Sequence, residues 1–202
     1  VRNNPDDAKA HFNLGNAYDE LGKYKEAIKS YKQAIKIDPD LAIAHYKLGL
    51  AYGKSGMYEE AIESFKQAIK IDPDYAMAHN NLGYVYRKSG MYKEAVESYK
   101  KAIKLYKQAI KIDPDDAEAH FGLGGAYYNL AYLSTRRQIH SILDLSKYKK
   151  AIKSYKQAIK IKPDYASVHY NLGLSYLNLK DRDSAIEQYK ILKKLNTRLA
   201  NK

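Results

Sequence analysis

An octapeptide recurs five times along this 202-residue chain, and the repetition limits the folds that the chain can adopt. The copies read HFNLGNAY, HYKLGLAY, HNNLGYVY, HFGLGGAY and HYNLGLSY. They begin at His11, His45, His79, His120 and His169, so successive starts are 34, 34, 41 and 49 residues apart. The basic unit is therefore 34 residues long, with additions of 7 and 15 residues in the third and fourth units. Because so short a unit cannot bury a core alone, neighbouring units must stack on it.

A second block follows each octapeptide and predicts that every unit holds two helices. It reads YKQAIKIDPD or a close variant, and its apolar residues recur three or four positions apart, as on one face of a helix. A proline stands at every joint between units, where it ends the helix. The aspartates beside each proline can accept hydrogen bonds from the free amides of the next helix.

Small and aromatic residues occupy fixed positions in both helices of the unit. In the octapeptide, Leu-Gly is followed three residues later by Tyr, and in the second helix an Ala is followed four residues later by Tyr or Phe. In this period and pattern the chain resembles the tetratricopeptide repeat family over its whole length apart from the two additions. The resemblance implies an all-α fold, a right-handed α-solenoid superhelix of antiparallel helix hairpins.

The repeated glycine has a physical reason that is independent of the resemblance. Glycine inside a helix costs about 1 kcal/mol relative to alanine, so its recurrence indicates that the paired helix approaches closely. The alanines of the second helix allow the same approach from the other side, and the tyrosines fill the space between hairpins.

The repeat register divides the chain into five units. The predicted units are residues 8–41, 42–75, 76–116, 117–165 and 166–199. Residues 1–7 would be the tail of a preceding repeat, and residues 200–202 would start a further, truncated helix. In the third unit YKKAIKL is followed by YKQAIKI, which predicts a 7-residue extension of the second helix in phase.

The fourth unit carries a 15-residue insertion at residues 131–145, AYLSTRRQIHSILDL. This segment predicts about seven helical residues, a polar break at Ser134–Arg137 and about seven more helical residues. Three consecutive helices would then be longer than the rest and protrude together. We hypothesise that they form a second contact surface; a tolerated insertion at a loop tip is the alternative. The candidate residues are Tyr132, Leu133, Arg136, Arg137, Ile139 and Ile142.

A formal net charge of +12 raises the question of an acidic partner, a nucleic acid or an anionic membrane surface. The lysines mostly recur three or four residues apart on helices whose other face is apolar, as in a solvated stripe, and no nucleic-acid motif accompanies them. Nucleic acid is therefore disfavoured, and nothing beyond the charge supports a membrane surface. With no cysteine and no targeting signal in the sequence, we expect a soluble segment and slightly favour the cytoplasm, while the compartment stays open.

The sequence contains no motif for catalysis, a metal or a cofactor. A nucleophile elbow, a phosphate loop, a calcium loop and a histidine–glutamate zinc motif are all absent. The repeated histidines do not suggest a metal site, because equivalent residues of stacked hairpins lie on the order of 10 Å apart, whereas zinc ligands lie about 2.1 Å from the ion. We therefore predict a protein that is not an enzyme and needs no cofactor.

The resemblance also implies where a partner would bind. In this family the first helices of successive hairpins line a concave groove that holds extended or helical peptides. Aromatic, amide and basic groups alternate at these positions, which favours a segment with apolar anchors and some acidity. The clamp of Lys, Asn, Asn, Lys and Arg that binds C-terminal carboxylates in one subgroup is missing, since only Asn16 matches it. The predicted groove residues are Phe12, Asn16, Tyr46, Lys47, Leu50, Lys54, Asn80, Asn81, Tyr84, Arg87, Phe121, Tyr128, Tyr170, Asn171, Leu174 and Asn178.

These features favour a scaffold or adaptor that binds a peptide segment of a partner protein in the groove. Two alternatives stay open. One is a structural assembly protein that self-associates into a homo-oligomer or bridges larger complexes, and the other is a regulatory repeat region of a larger enzyme.

Overall fold

The computed structural model describes residues 7–137 and 145–200, and all regular secondary structure in these ranges is α-helical. The all-α prediction of consecutive helix hairpins is thus confirmed. The helices are α1 (Ala8–Glu20), α2 (Tyr24–Ile37), α3 (Ala42–Lys54), α4 (Tyr58–Ile71), α5 (Ala76–Lys88), α6 (Tyr92–Ile112), α7 (Ala117–Arg137), α8 (Ser146–Ile161), α9 (Ala166–Asn178) and α10 (Arg182–Ala200). None of these described helices is long and apolar enough to cross a membrane.

The helices form two compact units, Val1–Ser98 and Tyr99–Lys202. In the first unit each of α1 to α4 packs against the next helix along the chain, and α3 also touches α1 and α5. In the second unit α7 packs against α8, α8 against α9 and α9 against α10, while α7 touches α9. Each unit is therefore a stack of hairpins in which first helices lie side by side.

A left-handed residue closes the turn between the two helices of a hairpin. Gly22, Gly56 and Gly90 have φ values of 70°, 77° and 79°, where glycine pays no steric penalty. Lys180 takes the same conformation in the last hairpin, with φ of 62°. A side chain there costs roughly 1 kcal/mol, so the last turn is locally strained.

The aspartates around the prolines mostly close the turn rather than cap the next helix. Asp38, Asp72 and Asp113 each accept a hydrogen bond from the amide two residues later, at 3.2, 3.1 and 3.0 Å. Asp7 and Asp116 do cap α1 and α7, since their carboxylates accept from Ala10 N and Ala119 N at 3.0 and 2.9 Å. The predicted capping role therefore holds at these two helices, whereas α3, α5 and α9 have no side-chain cap.

The repeated glycine of the first helix lies directly beneath the aromatic ring of the second. A Cβ on Gly15 would lie 2.5 Å from the Tyr31 ring, and one on Gly124 would lie 2.5 Å from the Tyr155 ring. Both rings are fully buried, so they have no room to move aside. This contact explains why glycine is retained inside a helix in spite of its propensity cost.

The last hairpin lacks this contact. A Cβ on Gly173 would find only Gln188 Cβ at 3.5 Å and Ala185 O at 3.9 Å within reach, both ordinary contacts. The corresponding ring, Tyr189, is instead 66% exposed. In the described structure, therefore, no ring packs on Gly173 to offset the helix-propensity cost of glycine.

The two additions lengthen helices, although not as predicted in the fourth unit. α6 has 21 residues where α2 and α4 have 14. α7 also has 21 residues and runs through Ser134–Arg137, so the predicted polar break there is wrong. The Ser134 hydroxyl donates to the Leu130 carbonyl at 3.0 Å, and such local bonding lets a polar residue continue a helix.

Two further expectations fail at the C-terminal part of the chain. α6, α7 and α8 are all longer than α2 and α4, as predicted, but α10 with 19 residues is longer than α8 with 16, so these three are not longer than all the rest. Residue Ala200 belongs to α10 and does not begin a further helix. The remaining two residues of that predicted segment and the second half of the insertion lie outside the described residues.

Burial raises the pKa of the core tyrosines. Desolvation is the main cause for Tyr31 and for Tyr155, and the raised pKa means that both rings stay neutral in the folded chain well above pH 10. The Tyr31 hydroxyl donates to Asn16 Oδ1 at 2.9 Å. The Tyr155 hydroxyl has no hydrogen-bonding partner among the described residues, and hairpin α3–α4 carries Phe65 at the same repeat position.

We expect Gly124→Ala to lower the free energy of unfolding by about 1–2 kcal/mol, because overpacking against Tyr155 outweighs the gain in helix propensity. Gly173→Ala is the matched control and should raise it by about 0.5–1 kcal/mol, since its Cβ has room. Urea denaturation followed by circular dichroism measures both. Equal effects at the two glycines would contradict the packing assigned to Gly124.

We expect Tyr155→Phe to leave the free energy of unfolding at neutral pH unchanged or to raise it by about 1 kcal/mol, because it removes an unpaired buried hydroxyl. Above pH 10, Tyr155 loses its proton in the unfolded chain but keeps it in the folded chain. The free energy of unfolding therefore falls by about 1.4 kcal/mol per pH unit because of this residue. Tyr155→Phe should abolish this part of the decline.

Tyr31→Phe provides the control for this experiment. It should reduce the alkaline decline in the same way but cost about 1 kcal/mol at neutral pH, because it removes the hydrogen bond to Asn16. Denaturation curves at a series of pH values separate the two effects. A Tyr155→Phe protein that loses stability as much as Tyr31→Phe at neutral pH would refute the assignment.

Candidate peptide-binding surface

All the residues predicted to line a groove lie on the first helices of the hairpins. In the first unit these helices are α1, α3 and α5, with α3 between the other two. In the second unit they are α7 and α9. The predicted residues therefore share two helical faces, one in each unit, and their accessibility differs widely.

The aromatic residues near the start of the first helices pack inside the hairpin stack. The Phe12 ring lies 5.9 Å from the Tyr31 ring, and the Tyr46 ring lies 5.8 Å from Phe65 and 4.9 Å from Tyr75. Tyr46 is only 7% exposed, and burial raises its pKa to about 12. Its predicted role as an accessible groove residue is wrong, because Tyr75, the residue that precedes α5, packs on it.

Phe121 has the same arrangement in the second unit. Its ring lies 6.1 Å from Tyr155 and 5.2 Å from Tyr165. Tyr170 occupies the same repeat position in the last hairpin and is 58% exposed. Of these aromatics it is therefore the one that a partner can reach most readily.

The asparagines of the predicted groove already form internal hydrogen bonds. Asn81 Nδ2 donates to Tyr46 Oη at 3.2 Å and to Met77 O at 2.9 Å. Asn178 Nδ2 makes corresponding bonds to Tyr128 Oη at 3.4 Å and to Leu174 O at 2.8 Å. Asn171 donates to its own helix, and Oδ1 of the half-buried Asn80 has no hydrogen-bonding partner among the described residues. Asn81 and Asn178 therefore tie neighbouring first helices together before any peptide is bound.

An ion pair connects α1 and α3 across the face of the first unit. Lys54 Nζ lies 2.7 Å from Asp19 Oδ2, with the two side chains 42% and 16% exposed. Lys54 also lies over the Tyr24 ring at 5.4 Å from its centroid. Asp19 was not among the predicted residues; the signal that could have found it is its position one helical turn past Asn16 on the same face.

An exposed aromatic ring with two cations beside it lies near the end of α5. Tyr84 is 38% exposed, and the Arg87 guanidinium carbon lies 4.9 Å from its ring centroid. Lys88, which was not among the predicted residues, has its Nζ 5.7 Å from the centroid of the same ring. We call Tyr84, Arg87 and Lys88 the α5 patch. Two cations at one aromatic ring create a basic surface with an apolar base. On α3, Lys47 and Leu50 are half-buried.

Four of the repeated histidines connect a first helix to the proline turn that precedes it. Nε2 of His45, His79 and His120 lies 2.9, 3.0 and 3.0 Å from the carbonyl oxygen of Pro39, Pro73 and Pro114. A carbonyl only accepts, so this nitrogen is the donor. His169 binds Pro163 O in the same way and also contacts Gln188 at 2.7 Å through Nδ1.

These histidines therefore have a structural role, and its basis is a hydrogen bond to a proline carbonyl that the sequence did not reveal. In the part of the chain that the structure describes, no cluster of three or more His, Cys, Asp or Glu residues could hold a metal ion.

Fewer residues than predicted can contribute to the second contact surface of the insertion. Leu133 is 2% exposed and cannot contribute to it, because it packs in the core. Tyr132 is half-buried and stacks on Tyr128 at 6.4 Å. Arg136 and Arg137 belong to α7, but their side chains lie outside the described part, as do Ile139 and Ile142 entirely.

Comparison with known proteins identifies the repeats. A TPR repeat model matches residues 15–56, 54–90, 101–130 and 142–180, and two tetratricopeptide repeat models match residues 76–106 and 166–196. No curated protein matches the sequence.

Solved structures share the fold. A crystal structure of MamA protein has 25% identity, covers 96% of this chain and 94% of its own, and gives a TM-score of 0.51. MamA residues 41–end from Desulfovibrio magneticus RS-1 have 23% identity, coverage of 95% and 96%, and a TM-score of 0.54. PilF of Pseudomonas aeruginosa has 20% identity, covers 93% of this chain and 75% of its own, and gives a TM-score of 0.61.

The repeat models cover well over half of the chain, and the solved structures with the same fold span nearly all of it. The chain therefore belongs to the tetratricopeptide repeat family, whose members are non-enzymatic scaffolds that bind proteins or peptides.

Proposed function

We propose that this scaffold binds an acidic peptide segment with an apolar anchor on the face formed by α1, α3 and α5. The observation that carries the proposal is the α5 patch, in which Arg87 and Lys88 flank the exposed ring of Tyr84. An aromatic ring offers contact area at low entropy cost, and the adjacent cations select an acidic neighbour of the anchoring side chain.

The charge of the face supports the same partner. Lys47 on α3 adds to the two cations of the α5 patch, whereas Lys54 is already paired with Asp19. Charged partners approach such a surface faster and with the correct orientation, so the basic excess contributes to specificity as well as to attraction.

The geometry sets the length of segment that would fit. Packed helices lie about 8–10 Å apart, so a peptide that crosses from α1 to α5 spans about 20 Å. An extended chain rises about 3.3 Å per residue, which gives roughly six residues. The asparagines offer little to such a peptide, because Asn16 and Asn81 already bind Tyr31 and Tyr46. Recognition would then depend on side chains more than on the peptide backbone.

We expect Tyr84→Ala combined with Arg87→Glu to weaken binding of an acidic peptide at least tenfold, about 1.4 kcal/mol. The probe is a fluorescein-labelled octapeptide of Glu and Asp residues around one Phe, and fluorescence anisotropy measures its affinity. Raising the salt concentration should weaken binding to the unchanged protein as well.

Two controls make this test specific. Lys66→Glu makes a charge reversal on an exposed residue of α4, a second helix, and should leave the affinity nearly unchanged. A second octapeptide with Lys in place of Glu and Asp should bind weakly. Equal loss in the Lys66→Glu protein, or preference for the basic peptide, would count against the α5 patch as the recognition site.

A further inference from the structure

A cavity of about 620 Å³ lies in the first unit, where the start of α1, the end of α2 and the start of α3 meet. Four apolar side chains line it, those of Phe12, Ile37, Leu41 and Ile43, and Asp38 provides a carboxylate. Ligand sites in proteins have such volumes and are mostly apolar with a few polar groups. The cavity therefore has the size and the composition of a binding site.

Leu41 leaves space over Phe12 at a position where two other joints carry a larger side chain. The same repeat position holds Tyr75 before α5 and Tyr165 before α9. Each of these tyrosine rings packs on the aromatic residue that corresponds to Phe12, at centroid distances of 4.9 and 5.2 Å. A leucine side chain is shorter and has no ring, so the first joint keeps the cavity open.

The joint before α5 shows which chemical group fits this space. There Tyr75 packs on Tyr46, which is only 7% exposed, whereas Phe12 is half-buried. Burial raises the pKa of Tyr75, and the nearby Tyr46 phenol and Asp72 carboxylate raise it further. Asp38 has the repeat position of Asp72 and lines the cavity. A phenol ring on Phe12 with its hydroxyl toward Asp38 would therefore reproduce the packing of the next joint.

The cavity lies about 20 Å from the α5 patch. Phe12 is the fifth residue of α1, and Tyr84 is the ninth residue of α5. Because α3 lies between these helices, two helix spacings of about 8–10 Å separate the residues sideways. Four residues of helical rise, about 6 Å, separate them along the helix axis. An extended peptide covers this distance with roughly six residues.

From these observations we propose that the cavity binds an aromatic side chain, best a tyrosine, of the same peptide whose acidic segment lies on the α5 patch. This inference rests on the proposed function and adds a second anchor about six residues from the acidic segment. The volume of the cavity exceeds that of one ring, so the peptide backbone beside the tyrosine also finds room.

Fluorescence anisotropy with two labelled decapeptides tests the proposal. One decapeptide carries Tyr about six residues from the Phe of a Glu-Phe-Asp segment, and the other carries Ala in place of Tyr. Both are made in the two possible orders, because the geometry gives the spacing and not the chain direction. In the better order the Tyr peptide should bind the unaltered chain about fivefold more tightly, or about 1 kcal/mol. We call this ratio the tyrosine preference.

Two variants of the cavity should lose the tyrosine preference. Leu41→Tyr fills the cavity with the residue that two other joints carry, so its circular dichroism spectrum should stay unchanged while the preference falls below about twofold. Ile43→Glu replaces part of the apolar wall with the residue type that Glu118 provides at this position of α7, and it should lower the preference as well.

Leu21→Tyr is the matched control for Leu41→Tyr. It makes the same exchange at a residue that is 69% exposed directly after α1 and does not line the cavity. This variant should keep the tyrosine preference of the unaltered chain.

A ligand that consists of the ring alone locates the site without any peptide. p-Cresol, the side-chain analogue of tyrosine, should shift the backbone amide resonances of Ile37 and Ile43 in proton–nitrogen correlation spectra of the unaltered chain. These shifts should be absent in the Leu41→Tyr protein, because the new ring occupies the same space.

The peptide data separate this inference from the proposed function. Tyr84→Ala combined with Arg87→Glu should weaken both decapeptides by the same factor and leave the tyrosine preference unchanged. If this double variant has no effect on either peptide, the proposed function fails. A tyrosine preference that still disappears in Leu41→Tyr would then support the cavity independently.

Three results would overturn the proposal. One is equal affinity of the Tyr and Ala decapeptides for the unaltered chain; together with p-cresol shifts at the cavity, it would assign the cavity to free phenols instead. Another is a tyrosine preference that persists in Leu41→Tyr. The third is a set of p-cresol shifts confined to amides outside the cavity.

Discussion

The contact between a first-helix glycine and a second-helix aromatic ring holds each complete hairpin together, and the other packing depends on it. With Gly49 and Phe65, a Cβ on the glycine would lie 2.8 Å from the ring, so the two helices approach more closely than any side chain would allow. The Phe65 ring also packs against Tyr46, and Tyr46 packs against Tyr75, the residue that precedes α5. Aromatic contacts therefore connect one hairpin to the next.

The fold could be predicted from the sequence because the pattern of residues within each hairpin determines its two helices. The 34-residue period and the helical spacing of apolar residues locate the helices without tertiary information. Features that depend on rotamers or on the turn were not accessible in this way. The histidine bond to the proline carbonyl, as in His45 to Pro39, requires a ring orientation that no pattern encodes. The continuation of α7 through Ser134 depends likewise on a side-chain bond to its own helix.

The candidate site was less predictable than the fold, because a groove position in a repeat does not determine exposure. Tyr46 and Tyr84 both lie on first helices, yet one is 7% and the other 38% exposed. Tyr46 on α3 is covered by Tyr75. Tyr84 lies on α5, where the side chains of Arg87 and Lys88, and not aromatic rings, lie beside it. The covering residue, Tyr75, lies at the joint with the next helix, α5, so the accessibility of a groove position depends on how successive hairpins pack and must be read from the structure.

Nearest-neighbour stacking does not make every hairpin alike, because one repeat position can differ in exposure between hairpins. Phe65 is 1% exposed, whereas Tyr189 at the same repeat position is 66% exposed. A Cβ on Gly49 would lie 2.8 Å from the Phe65 ring, whereas one on Gly173 would meet only Gln188 Cβ at 3.5 Å and Ala185 O at 3.9 Å. Because apolar burial stabilises a stack roughly in proportion to the buried area, hairpin α9–α10 gains less from this position than hairpin α3–α4 does.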